Sequence, residues 1–393
     1  MKEHFKKSIA IVLALLCLVM CPLVVSAKEA EAEENIAPLP IETEAKAVLL
    51  GDVDSGKILT GSNIHEKVYP ASVTKIMTLL LAMEALESGK IHLDDVVTAS
   101  ATAAGKGGSQ IWLKEGEQMT VQDLLKATTV ASANDASTAL AETIAGSESA
   151  FCDRMNEKAQ NLGMLDTHFE NCTGLDDDTK NHVTSAYDVF LMSRALLSHE
   201  KILEYSTIWM DSLRGGETSL VNTNKLVHSY TGVTGLKTGT TSKAGCCVSA
   251  SAKREETHFV AVVMGSPNSK SRFQTAKALL DWGFSNFETV SISVPEASLA
   301  PIQVLQGKEN EIRIEAPKPV RLLLPKGQKE KIQTEVLLPV DVAAPLEEGQ
   351  ILGKVHFLLD EHVLESVSLK SPRKILKISF ADAFYRILCT LCG

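Results

Sequence analysis

Ser72 and Lys75 stand three residues apart in the run Pro70-Ala71-Ser72-Val73-Thr74-Lys75. On a helix that spacing stacks the two side chains on one face, one turn apart. A serine hydroxyl is a poor nucleophile at neutral pH and needs a nearby base to take its proton. A lysine is such a base only where burial or positive neighbours lower its pKa. The partial positive charge at a helix start disfavours a protonated Lys75 and favours negative charge developing on Ser72. The spacing does not select itself, because Ser198–Lys201 and Ser371–Lys374 repeat it.

Two downstream motifs carry matching chemistry. Ser132-Ala133-Asn134 falls in a break between two helical stretches, where a hydroxyl and a carboxamide can face a cleft; the plainer reading is an N-cap. Ser266-Pro267-Asn268 has the same pattern, whereas Lys237-Thr238-Gly239 occurs once. Taken in order, the three motifs supply the parts of an acyl transfer. Ser72 is the candidate nucleophile and Lys75 its base. Ser132 would pass a proton to the leaving amine, and Asn134 would hold a substrate amide. Lys237, with the hydroxyls of Thr238 and Thr240, would anchor a substrate carboxylate. Backbone N–H groups of Ser72 and Thr240 would receive the oxyanion.

The elements that must position these residues can be read from pattern. Ala45 to Leu59 reads as a β-hairpin turning at Asp54-Ser55-Gly56-Lys57. Pro70 stops any earlier helix. From Val73 onward Ile76, Leu79, Leu80, Met83 and Leu86 recur at helical spacing, and Gly89 is a stop signal. Gly105 to Gly108 is a flexible segment without phosphate-loop spacing. Thr120 to Asp123 has capping-box form and opens a helix through Val130; Asp135 to Ile144, Phe151 to Leu162, Ala186 to Leu197 and Arg272 to Trp282 read as further helices. Asn171 to Asp176 is a loop. Lys237 to Thr240, Gly245 to Ala252 and Phe259 to Met264 read as neighbouring strands of a buried sheet.

Composition bounds the rest. The chain has 393 residues, enough for two or more domains, and its net charge of −10 argues against a nucleic-acid partner. Lys2, Lys6 and Lys7, an apolar run from Ile9 to Val25, and Val25-Ser26-Ala27 have the layout of a signal peptide over 1–27. Residues 28–44 form a polar linker. No His/Cys/Asp set has metal-ligand spacing, so neither metal nor cofactor is expected. Six of the eight cysteines lie beyond the signal segment without a disulfide framework, and Cys152–Cys172 is the pair to consider. Eight of the 13 prolines lie from Pro295 onward, where short strands alternate with turns. That predicts a small all-β, sandwich-like domain over 288–371. From Lys374, the residues Leu376, Phe380, Phe384, Ile387, Leu388 and Leu391 share one face, so 372–393 is expected to form an amphipathic helix on a membrane surface.

Ser-x-x-Lys, Ser-x-Asn and Lys-Thr-Gly in that order form the signature shared by penicillin-binding proteins and class A β-lactamases. The chain resembles the low-molecular-mass penicillin-binding proteins that are serine-type D-alanyl-D-alanine carboxypeptidases. Asn171-x-x-Gly174-Leu175-Asp176, His182 to Asp188, Asn222 to Leu226 and Gly235 to Thr241 extend the likeness, which covers Ala45 to Cys392. The resemblance implies an α+β, penicillin-binding transpeptidase/β-lactamase-like catalytic domain over 45–287. It would have a central antiparallel sheet, helices on both faces and a helical subdomain. It also implies release of the terminal D-alanine from peptidoglycan stem peptides, acylation of Ser72 by β-lactams, and an address on the outer face of the cytoplasmic membrane. The site it marks is Ser72, Lys75, Ser132 and Asn134 for catalysis, with Lys237, Thr238, Gly239 and Thr240 for substrate. A D,D-endopeptidase would use the same residues. A class A β-lactamase would also want a deacylating Glu; Glu170 lies in roughly that region, but Gly174 stands where that pattern has Asn.

Overall fold

A computed structural model describes residues 36–392. The expected signal peptide lies outside the described residues. The described chain divides into two compact units, with the division between Gly283 and Phe284.

The first unit is built on a five-stranded antiparallel sheet. Its strands are β1 (Ala47–Asp52), β2 (Ile58–Ser62), β3 (Val233–Thr241), β4 (Gly245–Arg254) and β5 (Thr257–Ser266), in the order β2-β1-β5-β4-β3. Every residue of β1 is buried, as are nearly all of β4 and β5. A strand covered on both faces needs continuous apolar sequence rather than alternation, and Ala47-Val48-Leu49-Leu50 and Phe259 to Met264 provide it. The cover comes from two sides. A Cβ on Gly51 would strike Phe190 of one helix, α5 (Ala186–Leu197). Leu50, pointing the opposite way, meets Gly283 of another, α6 (Ser269–Asn286).

Four further helices of this unit are α1 (Lys75–Glu87), α2 (Val121–Val130), α3 (Asn134–Ala145) and α4 (Glu148–Asn161). The predicted cap of α2 is present, with Thr120 Oγ1 accepting from Asp123 N at 3.1 Å. Apolar and small residues surround α1, with Ile76, Met77, Leu79, Leu80, Ala82 and Met83 all buried. A helix apolar all round belongs at the centre of a fold.

The expected linker is in part structure. Thr60 Oγ1 donates to Ala37 O and Pro38 O, and Thr43 Oγ1 meets Thr275 Oγ1 at 3.0 Å. The backbone of 36–44 therefore finds partners on the catalytic unit, which a composition reading does not reveal.

The second unit holds three small sheets: β6 (Phe287–Ile292) with β9 (Val320–Pro325); β8 (Glu311–Ile312), β7 (Ile302–Leu305) and β11 (Asp341–Ala343); and β10 (Gln333–Leu337), β12 (Ile351–Leu359) and β13 (His362–Lys370). They enclose a core that includes Ile302, Ile312, Leu324, Val355, Phe357 and Ile375. The terminal helix α7 runs over Phe380–Cys392, starting later than its sequence pattern predicts. Ile375 pairs with Leu346 and is buried in the β core, and Ile378 N donates to Gln306 O. Burial of Ile375 and these backbone bonds hold the chain extended where periodicity alone suggests helix.

Candidate active site

Ser72 sits on a 3-10 turn, Ala71–Thr74, that runs directly into α1. In 3-10 geometry residues three apart eclipse each other. Lys75 Nζ accordingly lies 3.0 Å from Ser72 Oγ. Ser72 is half-buried, whereas Lys75 is wholly enclosed. The amine also donates to Asn134 Oδ1 at 2.5 Å and to Thr173 O at 2.7 Å. Burial pushes its pKa from 10.5 down to about 7, against the pull of Cys172 and Asp135. The dominant cause is desolvation, which disfavours the charged form. A neutral amine beside a serine hydroxyl is thereby available at neutral pH.

Ser132 lies between α2 and α3, and Asn134 is the first residue of α3. Ser132 has φ +62 and is buried, and its Oγ has no hydrogen-bond partner among the described residues. Asn134 is bonded through both ends of its carboxamide. Its Oδ1 accepts a hydrogen bond from Lys75 Nζ and its Nδ2 donates to Gly107 O at 2.7 Å. Its carboxamide is thus engaged at both ends, fixing Lys75 and joining it to the glycine segment.

Lys237, Thr238, Gly239 and Thr240 lie on β3, an edge strand. A Cβ on Gly239 would stand 2.8 Å from Ser72 N and 2.9 Å from Pro70 O. Only glycine lets the strand lie that close to the Ser72 backbone. Thr238 Oγ1 donates to Thr223 Oγ1, and Thr240 is exposed. Lys237 is buried, donates to Thr238 O at 3.0 Å, and is held well below the ordinary lysine range by burial, by Lys75 and by Arg272. A substrate carboxylate against Nζ would favour the charged form.

Several neighbours lie outside the three motifs, though Gly174 and His182 fall in stretches that extend the family likeness. Thr173 contributes a backbone carbonyl, which any residue type could. Gly174, with φ +83, presses on the nucleophile turn so closely that a Cβ would lie 1.8 Å from Ala71 O. The His182 ring accepts Glu170 N–H at Nδ1, so Nε2 carries the hydrogen and donates to Thr74 Oγ1 at 2.8 Å. Burial pushes His182 down to about 4, which keeps it neutral. Arg272 is buried behind β3 and its Nη1 donates to Gly239 O, Thr240 Oγ1 and Cys247 O.

The competing motif copies separate. Lys201 pairs with Glu204 and Lys374 with Glu347, both on the surface. Asn268 caps α6 through Ser271 N. Glu170 is exposed and accepts from Lys180 N and Asn181 N rather than facing Ser72. Cys152 and Cys172 are free thiols. Among the described residues no acidic, His and Cys cluster could hold a metal.

A serine on the 3-10 turn at the head of a central helix, 3.0 Å from a buried lysine amine and closed in by a Lys-Thr-Gly edge strand, is the arrangement of a serine acyl-transfer enzyme of the penicillin-binding class. A family model described as D-alanyl-D-alanine carboxypeptidase matches residues 30–268, and one described as Penicillin-binding protein 5, C-terminal domain matches 287–377. The chain belongs to the D-alanyl-D-alanine carboxypeptidase family and is a serine-type carboxypeptidase. It is 40% identical over 349 residues to the D-alanyl-D-alanine carboxypeptidase DacF of Bacillus subtilis, covering 88% of this chain and 89% of that protein. Penicillin-binding protein 5 from Haemophilus influenzae superposes with a TM-score of 0.77 at 33% identity, over 86% of this chain and 99% of that one. Penicillin-binding protein D2 from Listeria monocytogenes, in its cefotaxime-bound form, has a TM-score of 0.58 at 30% identity, over 63% of this chain and 99% of that one.

Proposed function

We propose that the enzyme releases the terminal D-alanine of peptidoglycan pentapeptide stems through an acyl-enzyme on Ser72. The observation that carries this reading is the buried Lys75 amine 3.0 Å from Ser72 Oγ. Neutral Lys75 takes the hydroxyl proton as Oγ attacks the carbonyl between the two D-alanines. The Ser132 hydroxyl relays a proton to the departing amine, and D-alanine leaves. Water then attacks the ester, and its proton returns along the same groups. Backbone N–H groups of Ser72 and Thr240 receive the oxyanion. Lys237, Thr238 and Thr240 hold the terminal carboxylate, with Gly239 admitting the strand. Asn134 holds Lys75 in place.

β-Lactams acylate the same serine in this reading, supported by the cefotaxime-bound relative. The enzyme works outside the cytoplasmic membrane, delivered by the segment 1–27 and held at the surface by α7. Phe380, Phe384 and Tyr385 are 88%, 55% and 69% exposed there. No helix among the described residues is long and apolar enough to cross a membrane, and a short amphipathic helix lies on one.

The test is D-alanine release from a D-alanyl-D-alanine peptide together with covalent labelling by a fluorescent penicillin. Both are expected for the wild type and neither for Ser72→Ala. Labelling of the Ser72→Ala variant at wild-type level would overturn the assignment.

A further inference from the structure

Of the three tryptophans, only Trp112 is exposed, at 74%. It also has φ +61, a backbone conformation that bulky side chains rarely adopt and that glycine takes freely. Such strain persists only where the surroundings impose it. Here they do so from both sides. The buried Asp135 carboxylate accepts Ile111 N–H at 3.1 Å and Leu113 N–H at 3.0 Å. Arg214 Nη1 donates to Ile111 O at 2.9 Å, while Arg214 Nε holds Glu117 at 2.7 Å. Ile111 and Leu113 turn inward and are buried, so the residue between them must point out. An indole three-quarters exposed gives little stability in return for this strain.

The pedestal is continuous with the catalytic centre. Asp135 follows Asn134 in the chain. Asn134 N donates to Ser109 O, and Asn134 Nδ2 donates to Gly107 O, both at 2.7 Å. The loop that displays Trp112 is therefore fixed to the residue that holds Lys75. We propose that the Trp112 indole is a substrate subsite, a flat apolar face that packs on the stem peptide upstream of the D-alanyl-D-alanine pair. This rests on the carboxypeptidase reading: the leaving group is one D-alanine, so every further substrate atom lies on the acyl side. An aromatic face suits the C–H-rich side chains of a peptide and loses little conformational freedom on binding.

The test compares kcat/KM for an acetylated D-alanyl-D-alanine dipeptide, a free pentapeptide stem and a disaccharide pentapeptide. Trp112→Gly fits the backbone and removes only the indole; Trp112→Phe keeps an aromatic face. Loss of about tenfold on both pentapeptide substrates, mainly in KM, is expected for Trp112→Gly, with a much smaller loss on the dipeptide and partial retention in Trp112→Phe. The melting temperature of Trp112→Gly should equal or exceed that of the wild type, because the strain is relieved. Equal losses on all three substrates would make the loop a scaffold and overturn the subsite, as would no loss on the pentapeptide. A loss confined to the disaccharide substrate would overturn the peptide assignment in favour of sugar. Wild-type turnover of the dipeptide checks the carboxypeptidase reading independently of Trp112.

Discussion

The Asp176 carboxylate accepts a hydrogen bond from Thr241 Oγ1, and Lys243 Nζ donates to Asp176 O. Asp176 ends the loop whose Thr173 carbonyl receives the Lys75 amine. Thr241 ends the strand that carries Lys237. One buried carboxylate thus joins the two walls of the site.

Asp176→Ala should therefore lower both D-alanine release and penicillin acylation by about tenfold, the cost of freeing a buried hydrogen-bonded loop. Asp176→Asn retains an acceptor for Thr241 and should restore most of the rate. Thr241→Val should add little to Asp176→Ala, since both remove the same link. Full additivity in a double-mutant cycle would show that the two residues act separately.

Acylation should depend on pH through Lys75. Its pKa of about 7 leaves the amine protonated below that value and neutral above it. The second-order rate of penicillin acylation should thus climb through about pH 7 to a plateau on the alkaline side. Asp135, Cys172 and Lys237 are the charged or titratable groups that bear on this limb. Lys75→Arg, charged throughout the range, should show no such rise. A flat wild-type profile between pH 5 and 9 would remove Lys75 from the role of base.

Replacing Lys237 by Ala should cost most with substrates that end in a free carboxylate. Against a C-terminal amide analogue the variant and the wild type should differ far less. An unchanged kcat/KM for the carboxylate substrate would sink the anchoring role. A charged contact of this kind is worth about 1.5–3 kcal/mol, so a loss of one to two orders of magnitude is expected.

Deleting Lys374–Gly393 should move the protein from the membrane to the soluble fraction. Ile375 belongs to the β core of the second unit, so a deletion from Phe380 is the cleaner variant. It removes α7 and leaves that core intact. Retention of the shorter chain on membranes would assign the binding elsewhere.

Much of the catalytic unit is legible because its elements obey local rules. The apolar run after Val73, the Thr120 cap and the buried strands Gly245 to Ala252 and Phe259 to Met264 each read correctly from period and capping alone. The strands β6, β7, β11 and β13 are harder to read. β6 and β13 have broken or largely exposed burial patterns, while β7 and β11 alternate but are only four and three residues long, too short for the alternation to mark a strand. The partners of Lys75 were legible only in part. Asn134 belongs to a motif, but Thr173 acts through its backbone and Asp135 through the amides of Ile111 and Leu113, and neither leaves a trace in residue type.

By itself the sequence determined the three motifs, their order and the family they define, because side-chain chemistry and short-range spacing are written in residue identity. Motif order already points to the first Ser-x-x-Lys, and tertiary structure decided that this copy brings its serine and a buried lysine together. Ser72 and Lys75 meet on a 3-10 turn under a buried helix, while Lys201 and Lys374 go to surface carboxylates. It also decided the state of the two lysines. A pKa depends on how much water and charge surround an amine, and that environment is assembled from Asn134, Asp135, Thr173 and Arg272, which lie far from the two lysines in the chain and near them only after folding.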